Sequence, residues 1–67
     1  MKQLINKEMI INYLRDNKLS KLKFCKTCNI SYQSLIRILE GDSKVKLITV
    51  YKICKTINVE LKEIFKN

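Results

Sequence analysis

Apolar residues recur three and four positions apart in a series of short segments along the chain, which is the spacing of one face of an α-helix. The first segment ends at the polar residues 16–18. Its apolar members are Ile5, Met9, Ile10, Tyr13 and Leu14. The pattern predicts an N-terminal helix with this side turned towards a core.

Two further helices are predicted by their boundary residues. Ser20 and Ser31 are good N-cap residues, because a serine hydroxyl can accept a hydrogen bond from a free N–H of the first turn. Asn29 and Gly41 suit the position after a helix, because both tolerate the left-handed conformation found there. The apolar residues expected to face inward are Phe24, Cys25 and Cys28 in the second helix and Leu35, Ile38 and Leu39 in the third.

The C-terminal third predicts a helix from Leu47 to Ile57, which ends at Asn58, and a short last helix. The inward residues expected here are Leu47, Val50, Ile53, Cys54 and Ile57, followed by Leu61, Ile64 and Phe65. One glycine and no proline argue against an all-β fold with many tight turns. We therefore predict an all-α fold of five short helices, forming a single domain over residues 1–67.

The second and third helices stand in an arrangement that suggests a function. A helix of about eight residues, a break at Asn29 and a helix of about nine residues make a helix-turn-helix. In that motif the second helix projects from the surface and fits the major groove of DNA, while the first lies across the backbone.

Charge supports this interpretation. The net charge is +8, which on so short a chain indicates a polyanionic partner. Between residues 18 and 38 there are no acidic residues. The basic residues of that stretch are Lys18, Lys21, Lys23, Lys26 and Arg37. An ordinary solvated helix face would mix both signs.

Several other classes of function are disfavoured. The Cys25–Cys28 pair has only Cys54 as a further thiol and no histidine, so we expect neither a metal site nor a redox site. Without histidine, a glycine-rich phosphate loop or a convincing carboxylate pair, we expect no enzymatic activity and no cofactor. The odd cysteine count and the charged N-terminal stretch indicate reduced thiols and a cytoplasmic protein without a membrane partner.

Residues 9–65 resemble the Cro and phage-repressor type of helix-turn-helix, also called the xenobiotic-response-element family. Leu19-Ser20 matches the opening of that family's second helix, and Asn29-Ile30 stands at its turn. Ser31 matches the start of the recognition helix, and Gly41 the glycine after it. The resemblance implies a five-helix, lambda-repressor-like domain, a DNA-binding dimer and transcriptional control.

The resemblance also assigns residues to roles. Base-reading positions fall on Tyr32, Gln33, Ser34 and Arg37. Glutamine can pair with adenine and arginine with guanine, each through two hydrogen bonds. Phosphate contacts are expected from Lys18, Ser20, Lys21, Lys44 and Lys46. The dimer is expected to form through Leu61, Ile64 and Phe65.

Three of the positions that depart from the family's pattern are Leu14, Leu39 and Ile36. A frequent Arg–Glu pair between the first and third helices is replaced by Leu14 and Leu39, which should pack together. Ile36 stands where a polar residue is usual, and it either meets a thymine methyl or is simply exposed.

The expected function is binding of double-stranded DNA at an operator by a small regulator that acts as a repressor. A protein-interaction module of the same fold, such as an antitoxin or anti-repressor, is the alternative. A membrane-surface peptide ranks third, because helix breaks at Asn29 and Gly41 interrupt the single long helix it would need.

Overall fold

A computed structural model describes residues 4–42 and 44–66 of the chain. Within that part of the chain there are five helices and one pair of two-residue strands. In chain order the elements are β1 (Leu4–Ile5), α1 (Lys7–Asp16), α2 (Lys21–Cys28), α3 (Tyr32–Leu39), α4 (Leu47–Ile57), α5 (Leu61–Ile64) and β2 (Phe65–Lys66). The predicted all-α fold of five short helices is confirmed, and the small strand pair is an addition to it.

The helix boundaries follow the capping residues that the sequence predicts. Ser20 accepts a hydrogen bond from the backbone N–H of Lys23, and Ser31 accepts one from that of Ser34, each at 3.1 Å. Asn29 and Asn58 are left-handed, each with φ of 61°. Both N-cap predictions and both asparagine stops are therefore confirmed.

Two further helices end in the same way. Gly41 follows α3 with φ of 86° and Lys18 follows α1 with φ of 53°. At Gly41 the N–H of Asp42 bonds the carbonyl of Arg37 at 2.9 Å, and at Lys18 the N–H of Leu19 bonds that of Leu14 at 2.9 Å. These are Schellman closures, which satisfy carbonyls that a helix end otherwise leaves free. The left-handed lysine was not predicted, because lysine has no local preference for that conformation.

The core lies where the helices converge and is entirely apolar among the described residues. Every helix contributes to it, and Phe24 on α2 is completely buried, with its ring centroid 5.8 Å from that of Tyr13 on α1. A side chain of that size stabilises the fold by about 1.5–3 kcal/mol on burial. The buried residues are Ile10, Phe24, Cys25, Cys28, Leu35, Ile38, Val50, Ile53, Cys54, Ile57 and Ile64.

Three apolar residues are placed differently from the sequence-based expectation. Ile5 belongs to β1 and not to the first helix, and Phe65 belongs to β2 and not to the last. The two strands pair antiparallel, with Ile5 opposite Phe65, and the N–H of Asn6 bonds the carbonyl of Ile64 at 2.6 Å. Leu47 is 60% exposed, because the first turn of α4 carries it to the same side as Tyr51 and away from the core.

Among residues 4–42 and 44–66, no helix has the length and apolar character that crossing a bilayer requires.

Candidate nucleic-acid interface

The turn between α2 and α3 is fixed by backbone hydrogen bonds. The N–H of Ile30 bonds the carbonyl of Cys25 at 3.0 Å, and the left-handed Asn29 reverses the chain between them. The Sγ of Cys25 also lies 3.8 Å from the carbonyl of Ser31. These contacts therefore set the orientation of α3 relative to α2 close to the first turn of α3.

A lysine from α4 adds a long-range contact to the same turn. The Nζ of Lys52 donates a hydrogen bond to the backbone carbonyl of Asn29 at 3.3 Å. The partners are 23 residues apart in the chain. Sequence reasoning missed this residue, because only the packing of α4 against α2 brings the two together.

The predicted base-reading residues lie on α3, but they do not share one surface. Gln33, Ser34 and Arg37 line a concave surface between α3 and the start of α4, which we call the α3–α4 cleft. Tyr32 is the first residue of α3, is 44% exposed and lies outside this cleft. Ile36 is half-buried and does not line the cleft either.

Ser34 has less freedom than an exposed serine. The hydroxyl of Ser31 donates a hydrogen bond to the Oγ of Ser34 at 2.8 Å, while Ser31 also caps the helix. The Ser34 side chain is half-buried. Its hydroxyl hydrogen remains available for donation, whereas Gln33 and Arg37 are exposed and can both reach outward.

The α3–α4 cleft is strongly basic. Two of the predicted phosphate ligands, Lys44 and Lys46, line it together with Arg37 and Lys52, and none of the described acidic residues lines it. The N–H of Lys44 donates a hydrogen bond to the Asp42 carboxylate at 2.8 Å. The four cations produce a positive field on a concave surface that also carries Gln33.

The first turn of α4 belongs to the same cleft. Its N-cap is Lys46, whose side chain makes no capping bond, and its first turn has no acidic residue. Ile48, which is 56% exposed, and Thr49 line the cleft from this turn. Neither was predicted, because nothing in the local pattern places the start of α4 beside α3.

The other predicted phosphate ligands lie on a different surface. Lys18, Ser20 and Lys21 line a groove between the end of α1 and the start of α2, together with Arg15. We call this surface the α1–α2 groove. Its apolar walls are formed by Ile11, Leu14, Leu19 and Leu39. Leu14 and Leu39 are both half-buried here, on walls of one groove.

The three thiols are buried in the core and are free. Burial raises the pKa of Cys25 above its ordinary value of 9.0, with a smaller contribution from neighbouring Cys28. Burial also raises the pKa of Cys28, an effect partly offset by a side-chain hydrogen bond with Thr56, and burial raises the pKa of Cys54. Within the described ranges no three histidine, cysteine or acidic side chains form a group suited to a metal ion.

Only part of the expected dimer contact is accessible. Ile64 is completely buried in the core of its own chain, so this side chain is not available to a second copy. Leu61 and Phe65 are half-buried and line a groove with Tyr51, which is 48% exposed. Ile64 therefore packs within its own chain, because a one-turn helix must turn at least one apolar residue inward to be held, and the dimer contact through this region stays a prediction.

Comparison with known proteins agrees with this geometry. A family model described as helix-turn-helix matches residues 10–64, which is most of the chain and spans from α1 to α5. Searches of curated proteins and of solved structures each found no significant match. The family is that of DNA-binding transcription regulators. On this match and on the fold, the chain belongs to the Cro/repressor-type helix-turn-helix family.

Proposed function

We propose that the protein binds operator DNA sequence-specifically, with α3 in the major groove, and acts as a repressor by occupying the site. The observation that carries the proposal is the α3–α4 cleft. In it two exposed side chains able to read bases, Gln33 and Arg37, lie beside three lysines and, within the part of the chain that the structure describes, no acidic residue.

Base reading is assigned mainly to Gln33 and Arg37. They stand one helical turn apart and therefore on the same face of α3. Gln33 is suited to adenine and Arg37 to guanine, each through two hydrogen bonds in the major groove. Ser34 contributes its free hydroxyl hydrogen, and Tyr32 contacts DNA at the start of the helix.

Phosphate contacts are assigned to two helix starts. At α2, Ser20 and Lys21 stand at the N-terminus with Lys18 in the same groove. At α4, Lys46 is the N-cap residue and Lys44 precedes it. Free N–H groups and the helix dipole favour an anion at both places, and the lysines add full charges.

A homodimer completes the proposal. The groove lined by Tyr51, Leu61 and Phe65 also carries Lys55, Glu60 and Lys62, so it offers both signs of charge beside apolar surface. Two copies related by a two-fold axis can place a lysine of one against the glutamate of the other. Their α3 helices would then meet successive half-sites about 34 Å apart on DNA.

Selection from a pool of random DNA duplexes tests the proposal. We expect enrichment of a palindrome whose half-sites are centred one helical turn apart. A pool that remains random after repeated rounds would contradict sequence-specific binding and favour the protein-interaction alternative. As a regulator of transcription, the protein is assigned to the cytoplasm, without a cofactor and without catalytic activity.

A further inference from the structure

The apolar walls of the α1–α2 groove have no role in the proposed DNA binding. Its walls carry Ile11, Leu14, Leu19 and Leu39, and Ile11 is 43% exposed. Phosphate oxygens present no apolar surface to such side chains, so phosphate binding at Lys21 leaves this part of the groove without a role. The apolar walls are better explained by a partner that buries apolar side chains of its own.

The polar rim of the groove has one sign of charge. Arg15, Lys18 and Lys21 line it, and no acidic residue within residues 4–42 and 44–66 does. Asp16 stands next to Arg15 and lies 3.6 Å from its Nε, but both side chains are about 70% exposed, so water largely screens this pair. The rim therefore remains attractive to an added carboxylate.

A second copy of this chain does not fit the rim. In a two-fold contact here, Arg15, Lys18 and Lys21 of one copy would face the same three cations of the other. Like charges in close contact oppose association, whereas an acidic partner gains both speed and specificity from the same rim.

We propose that the α1–α2 groove binds an acidic, amphipathic helix of another protein. Apolar side chains at positions i, i+3 or i+4 and i+7 of that helix lie against Ile11, Leu14 and Leu39, and glutamates or aspartates flanking them meet Arg15 and Lys18. This is the helix-in-groove mode of peptide recognition, with charge selecting the partner. The proposal goes beyond DNA binding and does not depend on it.

Three designed peptides test the proposal with the full chain and without DNA. The first has leucines at helical spacing and glutamates on both flanks. The second has the same composition in scrambled order, and the third has lysines in place of the glutamates. We expect saturable binding of the first peptide alone by calorimetry, with amide chemical-shift changes centred on Ile11, Leu19 and Leu39.

Two variants and a control locate the contact. Ile11→Ser and Arg15→Glu change exposed side chains, so both should fold. Each is expected to weaken binding of the acidic peptide about tenfold or more, the size of effect seen when an interface anchor is lost. Leu22→Ser removes an apolar side chain that is 60% exposed and does not line the groove, and it should leave peptide affinity unchanged.

Four results would overturn the proposal. They are absence of saturable binding, equal binding of the scrambled peptide, unchanged affinity in Ile11→Ser and Arg15→Glu, and shift changes centred on the α3–α4 cleft. None of them bears on operator selection, so failure here and failure of the DNA-binding proposal are distinguishable.

Discussion

Lys52 on α4 and Asn29 in the helix-turn-helix are joined by a hydrogen bond of 3.3 Å from Nζ to the backbone carbonyl. The bond ties α4 to the one residue whose left-handed conformation sets the direction of α3. It also holds a cation inside the α3–α4 cleft.

Replacing this lysine should reduce stability measurably. Lys52→Met keeps most of the aliphatic stem but removes the donor, and we expect the free energy of unfolding to fall by about 0.5–1.5 kcal/mol. Lys44→Met is the matched control, because the Lys44 side chain is exposed in the same cleft. Urea denaturation of both variants gives the comparison. Equal stability of the two would show that the bond contributes nothing.

The left-handed Lys18 leads to a prediction of the opposite sign. A lysine at φ of 53° carries a steric penalty that glycine does not, although glycine makes the unfolded chain more flexible. We expect Lys18→Gly to raise the free energy of unfolding by about 0.5–1 kcal/mol. Lys55→Gly, inside α4, should lower it by about 1 kcal/mol. A loss of stability in Lys18→Gly would contradict the strain argument.

Lys21 should act on all DNA sequences alike. It stands at the start of α2, where we propose a phosphate contact, and a phosphate carries no sequence information. We expect Lys21→Ala to weaken binding to specific and random duplexes equally. The slope of log binding constant against log salt concentration should become shallower by about one unit. Titrations at several salt concentrations measure both quantities.

Gln33 and Arg37 should instead discriminate between sequences. Each of Gln33→Ala and Arg37→Ala is expected to cost about 1–3 kcal/mol on the preferred site and little on random DNA. The same titrations decide the matter. If these variants lost affinity equally on both duplexes, α3 would not be reading bases.

Burial of the thiols predicts a loss of stability at alkaline pH. Burial raises the pKa of Cys54 above its ordinary value of 9.0, so the unfolded chain ionises this thiol at a lower pH than the folded chain does. The contribution of this buried neutral thiol to the free energy of unfolding is therefore fully present below pH 9 and is lost as pH rises through the folded-state pKa. Cys54→Ala should show a smaller fall in the free energy of unfolding above pH 9 than the unaltered protein does. Parallel pH profiles for the two would contradict this account.

The proposed dimer has a direct test at Tyr51. This side chain is 48% exposed in the groove that Leu61 and Phe65 also line, and the Lys55 Nζ lies 5.8 Å from its ring centroid. We expect Tyr51→Ser to shift sedimentation towards monomer, while Leu22→Ser leaves the profile unchanged. A single monomeric species in the unaltered protein, both free and on DNA, would exclude this dimer.

What the sequence could predict was local. Serine caps, left-handed asparagines and helical spacing act within a few residues, so Ser20, Ser31, Asn29 and the limits of α4 were predictable. The exposure of Leu47 was not predictable, because a residue on the edge of a helical face is buried or exposed according to how far the neighbouring elements extend over it. The Lys52–Asn29 bond and the cleft beside α4 depend on packing between helices and carry no local pattern.

The pairing of β1 with β2 has a consequence for how the molecule opens. Leu4 lies opposite Lys66, so this pairing closes a loop that contains almost all of the chain. Closing so long a loop costs conformational entropy, and only two residues on each strand gain pairing in return. It should therefore form after the helices have packed and be the first part to separate. Since each strand is the other's only ladder partner among the described residues, fraying at residues 4–5 and at residues 65–66 is a single event. Amide hydrogen exchange at Asn6, whose N–H bonds the carbonyl of Ile64 across this pairing, should accordingly show a lower opening free energy than the amides of α2 and α3 do.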